Sequence, residues 1–321
     1  MKTNIFVAAA VLATVGGAQS ALACGDVSIT EMNWASAGIV TGVSKFVMEQ
    51  GYGCKVTVVP SNTVPAIASV AETGKPDIVT ELWINSAPEY KNLEAAGKVK
   101  TLGPVLSDGG VEGWWIPDYL AAEHPELTKI EGILAHPELV GGTFNNCPEG
   151  WGCRVANDNL KVAYGFADAK MAVFDHGSGE TLAASIAAAY ADKKPWFGYY
   201  WAPTAVLGKY PMVKVDVGAY DAEAHVCNQT VGCAGPKKSD FPRAEVLTAV
   251  TTDFASREPD VVELMSKLSF TNAQMGALLA WQEDNKASID EAVVHFITSS
   301  PDVWGAWVND AAKAKLSAFV Q

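Results

Sequence analysis

Apolar and polar positions along this chain recur with two different periods, which predicts strands and helices that follow one another. Short apolar runs predict strands at 27–33, 55–60 and 77–82. Apolar residues at helical spacing predict helices at about 36–50, which Gly51 ends, and at 63–73. This order predicts an α/β fold with a mostly parallel sheet covered by helices, and ligands of such sheets bind at the carboxyl ends of the strands.

The segment 101–117 is rich in glycine and proline and predicts a crossing into a second lobe. Beyond it, the pattern predicts helices at about 156–166 and 179–193 and a strand at 196–200. The last part of the chain is predicted to form a strand at 246–252 that returns to the first lobe, and then helices at about 260–268, 272–285, 289–298 and 301–319.

The length of the chain exceeds what one compact core usually holds, which favours two lobes. We predict that the first lobe is discontinuous, at 24–108 and 245–321, and that the second spans 109–244. The hinge is expected near 107–113 and 243–246, and the ligand in the cleft between the lobes.

Residues 1–23 carry an early lysine, an apolar run at 5–15 and the ending Ala21-Leu22-Ala23, which is typical of a secretory signal peptide. A periplasmic protein is therefore expected. Cys24 follows directly, so a lipidated cysteine is an alternative, although Ala21 stands where a lipidation signal usually has leucine. The six cysteines favour pairing in an exported chain, as Cys24 with Cys54, Cys147 with Cys153 and Cys227 with Cys233.

The charge balance is acidic, with 23 Lys and Arg against 36 Asp and Glu and a formal net charge of −13. This balance disfavours nucleic acid as a partner and allows a mild preference for cationic solutes. No zinc spacing is present, and no cofactor is expected. The cluster of Asp216, Asp221 and Glu223 has oxygens that suit calcium, or forms a solvated acidic loop.

The loop from Asn146 to Arg154 holds two cysteines close in sequence, with Trp151 near its tip. A disulfide between Cys147 and Cys153 would restrict this loop, and Gly152 would permit a ligand to approach closely. Trp151 would then be presented rigidly to a ligand. The alternative is a surface loop whose tryptophan packs on its own domain.

Eight of the ten tryptophans fall into two groups by position. Trp281, Trp304 and Trp307 lie in helical patterns and Trp196 lies inside a predicted strand, which is typical of core residues. A second group stands at strand ends or in the cysteine loop, spread over both predicted lobes: Trp34, Trp83, Trp151 and Trp201. Converging indole faces bind quaternary ammonium groups by cation–π attraction, at about 2 kcal/mol for each desolvated wall.

The chain resembles the substrate-binding proteins of glycine betaine/proline betaine (quaternary ammonium) ABC importers over nearly its whole mature length. The resemblance rests on the segments 33–36, 81–83, 113–117, 147–153 and 199–203. It implies the two-lobe fold of periplasmic binding proteins, a tryptophan cage that matches Trp83, Trp151 and Trp201, and backbone amides of Gly152 and Cys153 that donate to a ligand carboxylate. It also implies a monomer that delivers its ligand to an ABC permease.

The residues around Glu81 depart from the pattern of the family. Relatives often have a histidine soon after the third-strand tryptophan, whereas residues 84–87 supply none. If the strand persists, Glu81 and Trp83 share one face, and Glu81 would favour a cationic ligand such as choline or protonated trimethylamine N-oxide. Glu81 at the rim, paired with a lysine, is the other interpretation.

These observations favour a binding protein for a small methylated ammonium compound over other function classes. An exported enzyme or a sensor subunit for the same compounds is the alternative. The enzyme hypothesis has little support, because the chain has no G-x-S-x-G elbow, no Walker loop and no H-E-x-x-H motif.

Overall fold

The described part of the chain forms one mixed β-sheet flanked by helices. The computed structural model describes residues 24–320, and the predicted signal peptide at 1–23 lies outside the described residues. Nine strands belong to the sheet in these residues: β1 (Asp26–Met32), β2 (Lys55–Ser61), β3 (Ile78–Trp83), β4 (Val99–Pro117), β5 (Thr143–Asn146), β6 (Ala172–Asp175), β7 (Gly198–Ala202), β8 (Met212–Lys214) and β9 (Arg243–Thr251).

The α-helices of the described residues are α1 (Ala35–Val47), α2 (Thr63–Thr73), α3 (Pro88–Ala95), α4 (Asp118–Glu123), α5 (Ile130–Ala135), α6 (Gly152–Ala163), α7 (Gly179–Asp192), α8 (Ala205–Lys209), α9 (Ala222–Asn228), α10 (Thr252–Arg257), α11 (Pro259–Lys267), α12 (Asn272–Asn285), α13 (Ile289–Ser299), α14 (Pro301–Trp304) and α15 (Asp310–Leu316). A π-helical turn at Met48–Tyr52 continues α1, and a 3₁₀ turn at Ile84–Ser86 follows β3.

The strands run in the order β2-β1-β3-β9-β4-β7-β5-β6, with β8 added to β4. The pairs at both ends of this order, β1 with β2 and β3 and β5 with β6 and β7, are parallel. The pairs formed by β4 and β9 are antiparallel. The sheet is therefore more mixed than the sequence pattern predicts. Two long strands, β4 and β9, cross its centre and connect one half, which contains β1, β2 and β3, with the other half, which contains β5, β6 and β7.

The glycine- and proline-rich segment 101–117 is part of the 19-residue strand β4 rather than an irregular crossing. Its pairing with β9 shifts register between Thr101 and Gly103, between Pro104 and Leu106 and between Leu106 and Gly110. Glycine and proline are accommodated at such irregularities, which bend a strand without ending it. The composition of this segment therefore did not predict its strand conformation.

The predicted helix at 301–319 is broken in the structure. Helix α14 ends at Trp304, and α15 starts at Asp310 after Asn309 accepts a hydrogen bond from the backbone N–H of Ala312. A Cβ on Gly305 would lie 2.5 Å from the Pro301 carbonyl oxygen, so this turn requires a glycine. An N-cap side chain fixes the start of a new helix. The helical apolar pattern continued across the break because both helices pack on the same core.

The core contains three of the tryptophans that the sequence assigned to it. Trp304 is 1% exposed and donates to the carbonyl oxygen of Ile297, and Trp307 packs against Phe270 and Phe296. Trp196 is also buried, although it lies before β7 rather than inside the strand, and it donates to Ser185 Oγ. Trp281 is only partly buried and stacks on the His295 ring.

The structure contains the three disulfides predicted from the sequence, Cys24–Cys54, Cys147–Cys153 and Cys227–Cys233. Asp216 and Asp221 accept hydrogen bonds from nearby backbone N–H groups. Among residues 24–320, no cluster of three or more His, Cys, Asp or Glu side chains is arranged to hold a metal ion. None of the helices in the same range is long and apolar enough to cross a bilayer.

Candidate functional site

Four tryptophans from both halves of the sheet surround one small cavity, with a volume of about 30 Å³. They are Trp34, Trp83, Trp151 and Trp201, the four that the sequence set apart from the core. The cavity is also lined by Thr63, Ser86, Glu112, Gly152, Cys153 and Tyr199. The structure thus brings six of the seven predicted ligand-binding residues to one place, and Glu81 lies outside this lining.

Each tryptophan is placed at the end of a regular element or within a short strand. Trp34 is the N-cap of α1, Trp83 ends β3, Trp151 is the N-cap of α6 and Trp201 lies in β7. The ring of Trp151 stands edge-on to its neighbours, with centroids 5.0 Å from Trp34 and 5.1 Å from Trp201. Such T-shaped contacts fix the rings relative to one another, as aromatic pairs prefer.

The cysteine loop presents Trp151 to the opposite half of the molecule. Its indole Nε1 donates to Asn33 Oδ1, next to Trp34 at the end of β1. The side chain is 5% exposed, so the neighbours from both halves bury it. The interpretation in which Trp151 packs only on its own domain is therefore wrong in this conformation.

Two glycines permit close contacts at the cavity. A Cβ on Gly152 would lie 1.9 Å from the Ser86 carbonyl oxygen, so α6 approaches the turn after β3 with no room for a side chain. A Cβ on Gly110 would lie 2.2 Å from the indole of Trp83. Glycine at both positions allows the second half of the molecule to lie directly against the first.

The start of α6 contributes backbone groups to the cavity. Gly152 and Cys153 form its first turn, and both line the cavity. The first N–H groups of a helix have no partner within the helix and favour negative or electron-rich ligand atoms. This arrangement suits the oxygen-bearing end of a zwitterionic ligand, in agreement with the role that the family resemblance implies for these two residues.

Glu112 is a cavity residue that the sequence analysis missed. It is 2% exposed, and its carboxyl group accepts hydrogen bonds from Tyr199 Oη at 2.7 Å and Asn85 Nδ2 at 2.7 Å. Burial raises the pKa of Glu112, while these hydrogen bonds and one from Ser86 oppose the rise. In the β4–β7 ladder it pairs with Trp201. The sequence offered one signal for Glu112: it is an acidic residue two positions before Trp114, in the same segment.

Glu81 lies behind the tryptophans rather than at the rim or in the cavity lining. It is fully buried, and its Oε1 accepts from Trp34 Nε1 and from Ser36 Oγ, both at 2.6 Å. A register shift between Val79 and Leu82 breaks the strand alternation on which the prediction of a shared face with Trp83 rested. No lysine pairs with it among the described residues.

Burial raises the pKa of Glu81 to about 7, and hydrogen bonds from Ser36 and Trp34 oppose that rise. Two buried carboxyl groups therefore lie in or next to the cage: Glu112 of β4 in the cavity lining and Glu81 of β3 behind Trp34. Indole faces attract a cationic group through the cation–π interaction, so the four tryptophans around the cavity form an environment that favours such a group.

Comparison with known proteins gives consistent results. Residues 25–299 match the family described as the substrate binding domain of ABC-type glycine betaine transport system. A trimethylamine N-oxide-binding protein of Pelagibacter ubique (strain HTCC1062) is 24% identical over 212 aligned residues, and the match covers 62% of this chain. The match spans 63% of the length of that relative, which is less than two thirds.

Solved structures share the fold at low sequence identity. The glycine betaine/L-proline-binding protein of Borrelia burgdorferi has a TM-score of 0.75 and 17% identity, and the match covers 91% of this chain and 99% of that one. An ABC-transporter choline-binding protein solved with choline has a TM-score of 0.73 and 17% identity, with 93% and 99% coverage. The lactococcal OpuAC, closed on glycine betaine, has a TM-score of 0.68 and 19% identity, with 89% and 100% coverage.

These structural matches confirm the predicted two-lobe α/β fold. The family match covers most of the chain and includes all the residues around the cavity. The chain belongs to the family of substrate-binding domains of ABC-type glycine betaine transport systems.

Proposed function

We propose that this protein is the periplasmic binding component of an ABC importer and that its preferred ligand is trimethylamine N-oxide. The methylated ammonium group would occupy the cage of Trp34, Trp83, Trp151 and Trp201. Such a group donates no strong hydrogen bond, and indole faces attract it through the cation–π interaction. Delivery to a membrane permease follows from the family, and the expected outcome of binding is release of an unchanged ligand rather than catalysis.

Glu112 in the cavity lining is the observation that carries the choice of ligand. Because burial raises the pKa of Glu112, its neutral form is favoured more than in water, and the O–H of that form would donate a hydrogen bond to the N-oxide oxygen. The similarity to a trimethylamine N-oxide-binding relative supports the same choice.

The lobes would comprise residues 24–108 with 245–321 and residues 109–244, with the long strands β4 and β9 as the connection. Trp34 and Trp83 would then belong to the first lobe, and Trp151, Trp201 and Glu112 to the second. A cage divided in this way is complete only when the lobes are closed. Gly152 and Cys153 would donate backbone N–H groups to the ligand oxygen.

The role of Glu112 is tested by calorimetric titration of trimethylamine N-oxide, choline and glycine betaine into wild type and two variants. We expect wild type to bind trimethylamine N-oxide most tightly. Glu112→Ala should weaken that binding by about tenfold or more, since hydrogen bonds that involve charged groups contribute about 1.5–3 kcal/mol. Glu112→Gln should retain most of the affinity, because its amide still donates to the ligand oxygen.

The opposite ranking has a clear meaning. If Glu112→Gln lost as much affinity as Glu112→Ala and wild type preferred choline, Glu112 would act as an anion, and choline would replace trimethylamine N-oxide as the ligand. Recovery of chemically altered ligand after incubation with wild type would instead favour the alternative of an exported enzyme.

A further inference from the structure

The position of Glu81 is costly for the protein in two ways. Its carboxyl group is fully buried, with Oε2 lacking any hydrogen-bond partner, and the residue has a φ of 47°, in the left-handed region that side chains rarely adopt. Buried carboxyl groups and strained non-glycine residues persist where the surroundings impose them, often at binding sites.

The hydrogen bonds of Glu81 connect it to the wall of the cage. Its Oε1 accepts from Trp34 Nε1, and Trp34 lines the cavity and packs edge-on against Trp151. The same oxygen accepts from Ser36 in the first turn of α1. One carboxylate oxygen thus fixes both the indole ring and the start of the helix that carries it.

The groups that donate hydrogen bonds to Glu81 are uncharged. Hydrogen bonds from Ser36 and Trp34 favour its ionised form, and no charged residue contributes to its pKa. A hydrogen bond from an indole N–H to an anion increases the electron density of the ring, and a cation in the cage is attracted to both the ring and the anion behind it.

We infer that Glu81 is a positioning residue and the buried counter-charge of the cage, and that its ionised carboxylate holds Trp34 in place and strengthens its attraction for the methylated ammonium ligand. This inference rests on the proposed function, because it assigns to Glu81 a part in binding the same ligand. It differs from a ligand contact, since Glu81 acts through Trp34 and does not line the cavity.

The test uses trimethylamine N-oxide titrations of wild type, Glu81→Gln and Trp34→Phe, together with the double variant. Glutamine keeps the shape and an acceptor oxygen but removes the charge, and phenylalanine removes the indole N–H. We expect about a tenfold loss of affinity at pH 8 for Glu81→Gln. We expect the double variant to bind about as well as Trp34→Phe alone, because the two residues act through one hydrogen bond.

A pH profile separates this role from a merely structural one. The positive ammonium group of the zwitterionic ligand favours ionised Glu81. Wild-type affinity should therefore be highest above pH 7 and should fall as the pH is lowered through about 7. The fall in affinity around pH 7 should be absent in Glu81→Gln. Glu112, the other buried carboxyl group at the cavity, is accounted for by measuring Glu112→Gln in parallel. Glu72→Gln, on the exposed surface of α2, is the matched control for the loss of one charge.

The results distinguish the inference from the proposed function. If wild type binds and Glu81→Gln has the same affinity and pH profile, the inference is wrong while the proposed function stands. If wild type binds no methylated amine, the proposed function fails and the inference fails with it. Should Glu81→Gln not fold, Trp34→Phe tests the bond from its other end, and a wild-type pH profile in that variant would overturn the inference.

Discussion

Replacing Trp151 by alanine is expected to weaken the binding of trimethylamine N-oxide about 30-fold. One desolvated indole wall contributes about 2 kcal/mol, and each decade of affinity corresponds to about 1.4 kcal/mol. Trp151 also connects the halves through Asn33 and packs against Trp34 and Trp201. Its removal therefore opens the cage as well as deleting one wall. Calorimetric titration of wild type and variant measures the change directly.

Trp304→Ala is the matched control because it removes the same side chain from the core. Trp304 is 1% exposed and lies away from the cavity lining. This variant should lose about 3–5 kcal/mol of the free energy of unfolding and keep its ligand affinity in the folded fraction. Equal affinity in wild type and Trp151→Ala would show that the loop tryptophan does not contact the ligand.

Ligand binding is expected to close the two lobes, and Trp83→Ala should remove most of that closure. The halves already contact one another outside the cavity. His225 Nε2 donates a hydrogen bond to the Asn85 carbonyl oxygen, and Lys209 forms an ion pair with Glu283 at 2.6 Å. A ligand that gains contacts only in the closed form shifts the population towards it. Small-angle scattering should therefore give a smaller radius of gyration at ten times the wild-type Kd.

In Trp83→Ala the same ligand concentration should leave most molecules in the open form, because the first lobe has lost a wall of the cage. Asn92→Ala, on the exposed surface of α3, is a control outside the cavity and should behave like wild type. Wild-type scattering curves that superimpose with and without ligand would count against closure and would require a cage preformed in the unliganded protein.

Local sequence signals predicted the elements whose ends are set by nearby residues. Helix α2 has the predicted bounds, because Asn62 precedes it in an extended conformation and Gly74 ends it with a φ of 68°. Helix α12 also has its predicted bounds, since Thr271 and Gln274 form a capping box at its start. These signals lie within a few residues of the helix ends and need no tertiary information.

The features that sequence could not predict depend on partners far away in the chain. Strand β4 tolerates its glycines and prolines because β9, more than 100 residues later, supplies the pairing. Glu112 became a candidate only when β7 placed Tyr199 and Trp201 beside it. The role of Glu81 depended on a bulge in β3, which moved its side chain behind Trp34. Non-local pairing, which periodicity does not report, determines each of these placements.

The central claim is that the four-tryptophan cavity selects a positive methylated group by its charge and not only by its shape. Trimethylamine N-oxide is a zwitterion and its carbon isostere tert-butanol carries no formal charges, but the two have nearly the same size, so a comparison of their affinities separates the effect of the charged groups from that of shape. Calorimetric titration of both into wild type should show at least about 100-fold tighter binding of trimethylamine N-oxide, since two or more indole walls contribute. Similar affinities for the two compounds would contradict the claim and leave only an apolar pocket.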